Sequence, residues 1–489
     1  MRSAKINRHL WLRRSEVNER ALRSALVREG ARPEEDVPLY LLDADYIGVP
    51  RAFAGLLRNR PEDMVFEDLR PSSYRRTRIT SNIQLDHARS PKGELVATGG
   101  TLQREALAAL MQGHDGGLEL YCGAGKTVVA AHFLALKNVP TLVVVDNEPL
   151  LEQWQEECRS LLSYNRDVEG LWQGSKNQWQ RDLVFTTYQT LSRRAEGLTE
   201  EQRRHFGLVI YDEGHHLGAA AYHLTASAFY GQRINLSATP TRADGLHVLT
   251  EWHIGPSLYR NLKPPLPIHT RFLWTGTKVA PPLRGAEDTH VVDQQLAKLA
   301  AQSSCSLERT NKVLELLRGR RQAGRRQLFL TRSLTAIANI ASLWLGRGLP
   351  FPTPESAEGE GEARRTRVLR ELCVADSDTG IMAGEIERWR LREQGSRSMV
   401  FSILKYGREG FNQPALDTVV LDGPVADEGL LQQVMGRPTR LYPGKPLPEM
   451  LVIVDDWPLH RKMAKNMVTM MGKYPAEKGG PLTLAKEAL

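Results

Sequence analysis

With 489 residues, 41% of them hydrophobic and 25% charged, the chain has ordinary globular composition, and its length suits about three domains. Lysines and arginines (65) outnumber aspartates and glutamates (57), a formal charge of +8 that leans toward a polyanionic partner. The scattered cysteines Cys122, Cys158, Cys305 and Cys373 form no C-x-x-C pair, no apolar run reaches membrane-spanning length, and the N-terminus is too polar for a secretory signal; disulfide scaffolds, zinc modules and membrane spans are excluded, and an intracellular, cytoplasmic setting is expected.

Residues 1–95 mix helical and short extended patterns with many arginines and no catalytic cluster, which predicts a small accessory domain. Within them Arg70 to Arg78 is basic, with Tyr74 interleaved. Such a stretch suits a phosphate-tracking surface and a solvated loop about equally. From Thr101 to Leu110 apolar residues recur at helical spacing. A short apolar run then ends in Leu120-Tyr-Cys-Gly-Ala-Gly-Lys-Thr127, followed by an Ala- and Val-rich helical pattern. Strand, glycine-rich loop and helix in this order suit phosphate binding. Glycines let backbone N–H groups converge on phosphate oxygens, Lys126 supplies a cation, Thr127 can ligate magnesium, and the helix directs its positive end at the anion. The general pattern has a glycine where this chain has Leu120, so the loop alone does not decide the matter.

Apolar strands follow at Thr141–Asp146, Asp182–Thr187, Gly207–Asp212 and Arg233–Ser237, with an amphipathic helix over 148–162. Near-continuous apolar strands alternating with helices predict a parallel sheet covered on both faces, with ligands at the carboxyl ends of its strands. Residues 256–300 carry several prolines and no sustained period, and are expected to be a linker with some short strand. A second alternating series has strands at Gln327–Thr331, Thr379–Ala383, Ser398–Ser402, Thr418–Asp422 and Met450–Asp455, interrupted by an acidic low-complexity loop from Pro352 to Glu362. The expected partition is thus 1–95 accessory, 96–260 first α/β domain, 261–300 linker, 301–474 second α/β domain and 475–489 a frayed tail.

Three further clusters carry chemistry. Asp212-Glu213-Gly214-His215 ends an apolar strand. One carboxylate there can hold a magnesium ion bridging phosphates, and a second can orient water. Ser237-Ala238-Thr239 ends the next strand, where small hydroxyl side chains can bond that acidic cluster. Gln433-Val-Met-Gly-Arg437-Pro-Thr-Arg440 lies in the second series. Its arginines, expected three apart on one helical face, suit the charge of a triphosphate.

Taken in this order and spacing, Cys122-Gly123-Ala124-Gly125-Lys126-Thr127, Asp-Glu-Gly-His, Ser-Ala-Thr and Gln-x-x-Gly-Arg-x-x-Arg resemble the superfamily-2 helicases, and more closely the XPB-type DNA helicases and their compact phage-encoded relatives. Further matches are Glu148 to Trp154, Phe185 to Gln189, Ile254-Gly-Pro256 and Arg408 to Asp417. The likeness covers roughly 100–456, and Leu120 is usual for that subgroup's loop. It implies an α/β fold of two RecA-like domains with parallel sheets, closing on ATP and Mg2+. It assigns Gln103 to adenine, Lys126 and Thr127 to phosphates and metal, and Asp212 and Glu213 to metal and hydrolysis. His215, Ser237, Ala238, Thr239 and Gln433 couple nucleotide to nucleic acid, Arg437 and Arg440 reach the phosphates with Arg440 the arginine finger, and Gly410 senses closure. Nucleic-acid contacts fall to Gln153, Trp154, Thr186, Thr187, Arg332 and Lys405. Two departures are Asn412 for the usual aspartate and Gly214 for the commoner alanine, cysteine or valine, the latter expected to be harmless. The implied function is an ATP-dependent DNA helicase or translocase in repair, recombination or replication, in a bacterial or phage-infected cell. Its partner is single-stranded, branched or duplex DNA, with RNA as the alternative. Rival readings are the motor subunit of a restriction or defence complex with a separate nuclease chain, and a non-catalytic nucleic-acid-binding platform.

Overall fold

Runs such as Thr141–Val145 are apolar at every position, and only a strand covered on both faces can bury them. In the computed structural model all five of these residues are buried. The structure describes residues 2–28, 37–56, 61–89, 95–214, 217, 223–238, 247–263, 266–278, 289–353, 361–373, 378–382, 397–404, 413, 415–442, 444–472 and 487–488. Two units emerge, the first formed by Met1–His87, Gly99–Leu120 and Ala124–Leu262, the second by Ala88–Thr98, Tyr121–Gly123 and Lys263–Leu489.

The first unit begins with strands β1 (Arg2–Ile6), β2 (His9–Arg13), β3 (Leu41–Leu42), β4 (Tyr46–Pro50) and β5 (Met64–Asp68), in the sheet order β3-β4-β2-β1-β5. Period-two alternation sends Ala4, Ile6, Leu10, Leu12, Ile47 and Val49 into one core, which Leu249 of the adjoining α/β layer joins. Two buried arginines tie this sheet to that layer. Arg51 pairs with Asp115 Oδ2 at 2.6 Å and donates to the carbonyls of Tyr230 and Gly231 at 2.8 and 2.7 Å. Arg233 donates to the carbonyls of His253, Arg8 and Phe229 at 2.9, 2.7 and 3.0 Å. Burial pushes the Arg233 guanidinium down to about 9. Arg51→Ala strands Asp115 and two carbonyls in the interior, and a loss of about 3–5 kcal/mol is expected for breaking such a buried pair. Urea unfolding followed by far-UV circular dichroism measures it.

The α/β layer of this unit comprises β6 (Gly116–Leu120), β7 (Thr141–Val145), β8 (Glu169–Gln173), β9 (Lys176–Asn177), β10 (Leu183–Thr187), β11 (Leu208–Asp212), β12 (Gln232–Ser237) and β13 (Ser257–Asn261). The order is β9-β8-β10-β7-β11-β12-β6-β13, parallel throughout except for the β8–β9 edge hairpin. Helices α1 (Leu102–Met111), α2 (Lys126–Lys137), α3 (Glu148–Leu161) and α4 (Tyr188–Arg194) connect or flank these strands. Adjacent β6, β11 and β12 thus bring the phosphate-loop sequence, the acidic pair and Ser237 to neighbouring carboxyl ends.

The second unit has strands β14 (His269–Lys278), β15 (Gln327–Thr331), β16 (Thr379–Met382), β17 (Met399–Ile403), β18 (Thr418–Leu421), β19 (Glu449–Asp456) and β20 (Glu487–Ala488), and helices α5 (Thr289–Ser304), α6 (Leu307–Gln322), α7 (Leu334–Trp344), α8 (Glu428–Met435) and α9 (Pro458–Gly472). The sheet order is β16-β17-β15-β18-β19-β14-β20, with every pairing parallel. Apolar clusters cover both faces, one around Val419, Leu421 and Met467, the other around Phe329, Ile337 and Ile453. At the carboxyl ends Arg309 of α6 is enclosed between Asp422 (2.7 Å) and Asp455 (2.8 Å), with the Thr275 hydroxyl donating to Asp455.

All nine expected strands of the two series form. The span expected to be a linker instead contains β14 and α5. Pro267 lies just ahead of β14, whose ladder begins at His269, so it removes no ladder donor. Glu487–Ala488, within the expected tail, pairs with Leu273 and Trp274. Most of the acidic loop Pro352–Glu362 lies outside the described residues.

Candidate nucleotide site

Leu120, which stands where other phosphate loops carry glycine, is the last residue of β6 and fully buried. The turn is made instead by Gly123 (φ 92°) and Gly125 (φ 84°), both in the left-handed region that favours glycine. Gly125 is the N-cap of α2, so Lys126 and Thr127 open that helix. Gln103 on α1 donates from Nε2 to Ala124 O at 3.0 Å, while its Oε1 accepts Asp86 N–H at 2.7 Å. Asp86 in turn accepts from Gln103 N–H and Arg104 Nε. Gln103 is therefore fixed against the loop, and a Cβ at 125 would collide with its amide. Lys126 Nζ sits 3.5 Å from Leu120 O and 3.7 Å from Glu213 Oε1, a loose hold on a cation at the mouth of the loop.

Across from it, Asp212 ends β11. Its Oδ2 accepts Trp154 Nε1–H at 2.7 Å, its Oδ1 accepts Glu213 N–H at 3.2 Å, and its carbonyl accepts Tyr188 O–H at 3.0 Å. Burial, with the Glu213 charge second, pushes the Asp212 carboxyl up to about 7; a bound cation would reverse that shift. Glu213 has φ 47°, a left-handed conformation uncommon for a side chain of this size, and such departures gather at functional sites. Gly214 follows, its carbonyl accepting Thr250 O–H at 3.1 Å.

Position 214 is crowded by the Asn235 side chain, which must turn aside for any larger residue. A Cβ there would overlap Asn235 Oδ1 and lie 2.6 Å from Asn235 Cγ. Overpacking of this kind costs about 1–3 kcal/mol. Gly214→Ala is expected to lower the thermal midpoint and slow ATP turnover, and Gly214→Ala/Asn235→Ala to restore most of the midpoint, as differential scanning calorimetry would register.

Ser237 and Ala238 are buried at the end of β12; Thr239 and His215 lie outside the described residues, as do Gly410, Lys405 and Asn412. In the second unit α8 ends at Met435, so Arg437 and Arg440 follow the helix in turn structure rather than sharing a helical face. Gln433 and Arg437 are largely buried, and Arg440 is half-buried. Lys445 Nζ donates to Arg440 O at 2.7 Å, bracing that turn.

The side chains expected to meet nucleic acid divide. Trp154 is buried on α3 and spent on Asp212. Thr186 is fully buried and donates to Trp172 O at 2.7 Å. Thr187 caps α4. None of these three presents its side chain outward. Gln153 is partly exposed and donates to Glu157 at 2.8 Å, and Arg332, just past β15, donates to Pro424 O at 3.3 Å. Trp154 falls with Leu150, Leu151 and Cys158 on the buried stripe of α3, a spacing that already marked it as inward-facing. Asp86 and Asn235, also part of the site, carried no comparable signal. Among the described residues no three His, Cys, Asp or Glu side chains group as a further metal site.

Residues 99–242 match the family described as type III restriction enzyme, res subunit. Over 159 residues the chain is 35% identical to the DNA 3′-5′ translocase XPB2 of Sulfurisphaera tokodaii, covering 32% of this chain and 34% of that protein. Over 161 residues it is 35% identical to the DNA 3′-5′ helicase XPB of Mycobacterium tuberculosis, covering 32% and 29%. A more distant but longer similarity, 23% over 334 residues, links it to the probable helicase D10 of Escherichia phage T5, covering 66% and 64%. The chain thus matches no more than 34% of the length of these XPB relatives. Mss116p, solved with ssRNA and AMP-PNP, superposes with a TM-score of 0.50 at 11% identity over 79% of this chain and 73% of that one, a likeness of fold: two RecA-like domains. Fold and matched segments agree: the chain is similar to XPB-type helicases over those segments and shares a fold of two RecA-like domains.

Proposed function

We propose that this chain is a nucleic-acid-dependent ATPase that moves along or remodels DNA. The observation that carries the reading is the convergence of Lys126, Asp212 and Glu213 at the carboxyl ends of the parallel strands β6 and β11, which flank β12, with Lys126 Nζ 3.7 Å from Glu213.

The residues present fit a nucleoside triphosphate with a divalent ion. The glycine-turned loop and the start of α2 offer backbone N–H groups to phosphate oxygens, Lys126 is only loosely held, and Asp212 is a half-buried carboxylate oriented by Trp154. Thr127 and Asp212 would hold the ion, which supplies charge neutralisation between the outer phosphates when bound. Lys126 binds and orients those phosphates, and Glu213 orients water for attack. Arg437 and Arg440 are the cations proposed to stabilise the transferred group as its charge builds. Gln103 reads the base, and Ser237, Thr239, His215, Gln433 and Gly410 relay the nucleotide's state. Nucleic acid is gripped chiefly through its phosphates, with Gln153, Arg332 and Lys405 among the contacts, so binding should weaken as salt rises.

The type III restriction similarity of residues 99–242 favours one second reading, a motor whose movement serves a nuclease on another chain. Co-purification with a nuclease separates it from a stand-alone motor. Movement itself is read by displacement of streptavidin from end-biotinylated single strands and of a third strand from a triplex. ATP-dependent displacement on either substrate is expected, and hydrolysis without displacement on both contradicts the translocase reading.

A further inference from the structure

Asp212 is gripped by two aromatic donors that arrive from different connections of the sheet. Trp154 comes from α3, which follows β7, and donates from Nε1 to Oδ2 at 2.7 Å. Tyr188 is the first residue of α4, which follows β10, and its hydroxyl donates to the Asp212 carbonyl at 3.0 Å. Both side chains are buried, Trp154 at 2% and Tyr188 at 0% exposure. The Tyr188 ring also stacks on Tyr211, the residue before Asp212, at 6.3 Å between centroids and 21° between planes. A carboxylate whose Oδ2 accepts an indole N–H at 2.7 Å is held in orientation. Oδ1, which takes only the 3.2 Å bond from Glu213 N–H, keeps lone-pair capacity toward Lys126 and a ligand. Both donors are neutral: the indole holds the carboxylate and the phenol holds the backbone carbonyl behind it, and neither neutralises the charge.

We propose that Trp154 and Tyr188 are positioning residues for the metal-holding carboxylate, and that through them any displacement of α3 or α4 is felt at Asp212. The inference rests on the reading of Asp212 as a metal ligand given above. It makes Trp154, which sequence similarity placed at the nucleic-acid track, and Tyr188 into struts between α3, α4 and the proposed nucleotide site. Groups that orient a metal ligand typically matter about 10- to 100-fold in metal affinity.

The test is Mn2+ binding to the full chain in the presence of ADP, followed through the free-ion signal in electron paramagnetic resonance, for the parent, Trp154→Phe, Tyr188→Phe and Asp212→Asn. Both aromatic replacements remove a donor and keep a ring. Tyr188→Phe is nearly isosteric, so its fold should survive even where Trp154→Phe is less stable. Mn2+ affinity is expected to fall about tenfold or more in Trp154→Phe and by a smaller factor in Tyr188→Phe, with metal-free ADP binding unchanged. Loss in Asp212→Asn but parent-like affinity in both aromatic variants overturns the positioning role while sparing the proposed site. Parent-like affinity in Asp212→Asn overturns both.

Discussion

Arg440→Ala is expected to lower the single-turnover rate of ATP hydrolysis by about 10³-fold or more, the scale on which an arginine finger acts in phosphoryl transfer. The KM for ATP should stay close to the parent value, because Lys126 and Gln103, the proposed nucleotide contacts, belong to the first unit. Arg440 lies in a turn beyond α8, with its carbonyl held by Lys445 at 2.7 Å. Its backbone is thus braced, and the residue as a whole is half-buried. Lysine is a poor replacement, since a point charge cannot reproduce the planar fork. Rapid-quench hydrolysis at saturating ATP measures the effect, and a drop confined to KM would contradict the assigned role.

Lys126→Ala is expected to lower steady-state turnover by about 10²- to 10³-fold, as removal of one fixed charge donor does elsewhere. Unlike the arginine, this residue bears on both binding and chemistry, so KM should rise as well. Folding should not suffer. Lys126 Nζ makes only the 3.5 Å approach to Leu120 O and the 3.7 Å approach to Glu213, and pairs of that kind contribute about 0–1 kcal/mol. A normal unfolding midpoint beside lost turnover distinguishes chemistry from collapse.

Much of this architecture could be read from residue order. The β-branched runs around Val143, Ile210, Val420 and Ile453 are apolar at every position, and their alternation with helical patterns leaves little choice but two parallel sheets. The phosphate loop and acidic pair were legible because their chemistry fixes both residue type and place at strand ends. What stayed hidden depended on tertiary partners. β14 alternates half-buried and buried residues behind Pro267, so its membership in the sheet follows only from its pairing with β19. The crowding at 214 comes from the Asn235 side chain on the next strand. Arg51 looked like one basic residue among many, yet it is fully buried against Asp115. Trp154 and Thr186 were placed at the nucleic-acid track by similarity of sequence, whereas burial turns their side chains into the protein.

ATP hydrolysis compared across single-stranded, duplex, forked and four-way DNA and single-stranded RNA, with Lys126→Ala in parallel, tests the central claim most directly. Stimulation by at least one nucleic acid, diminishing as salt is raised and absent in Lys126→Ala, is the expected result. Turnover that no nucleic acid stimulates, or that persists without Lys126, would contradict it.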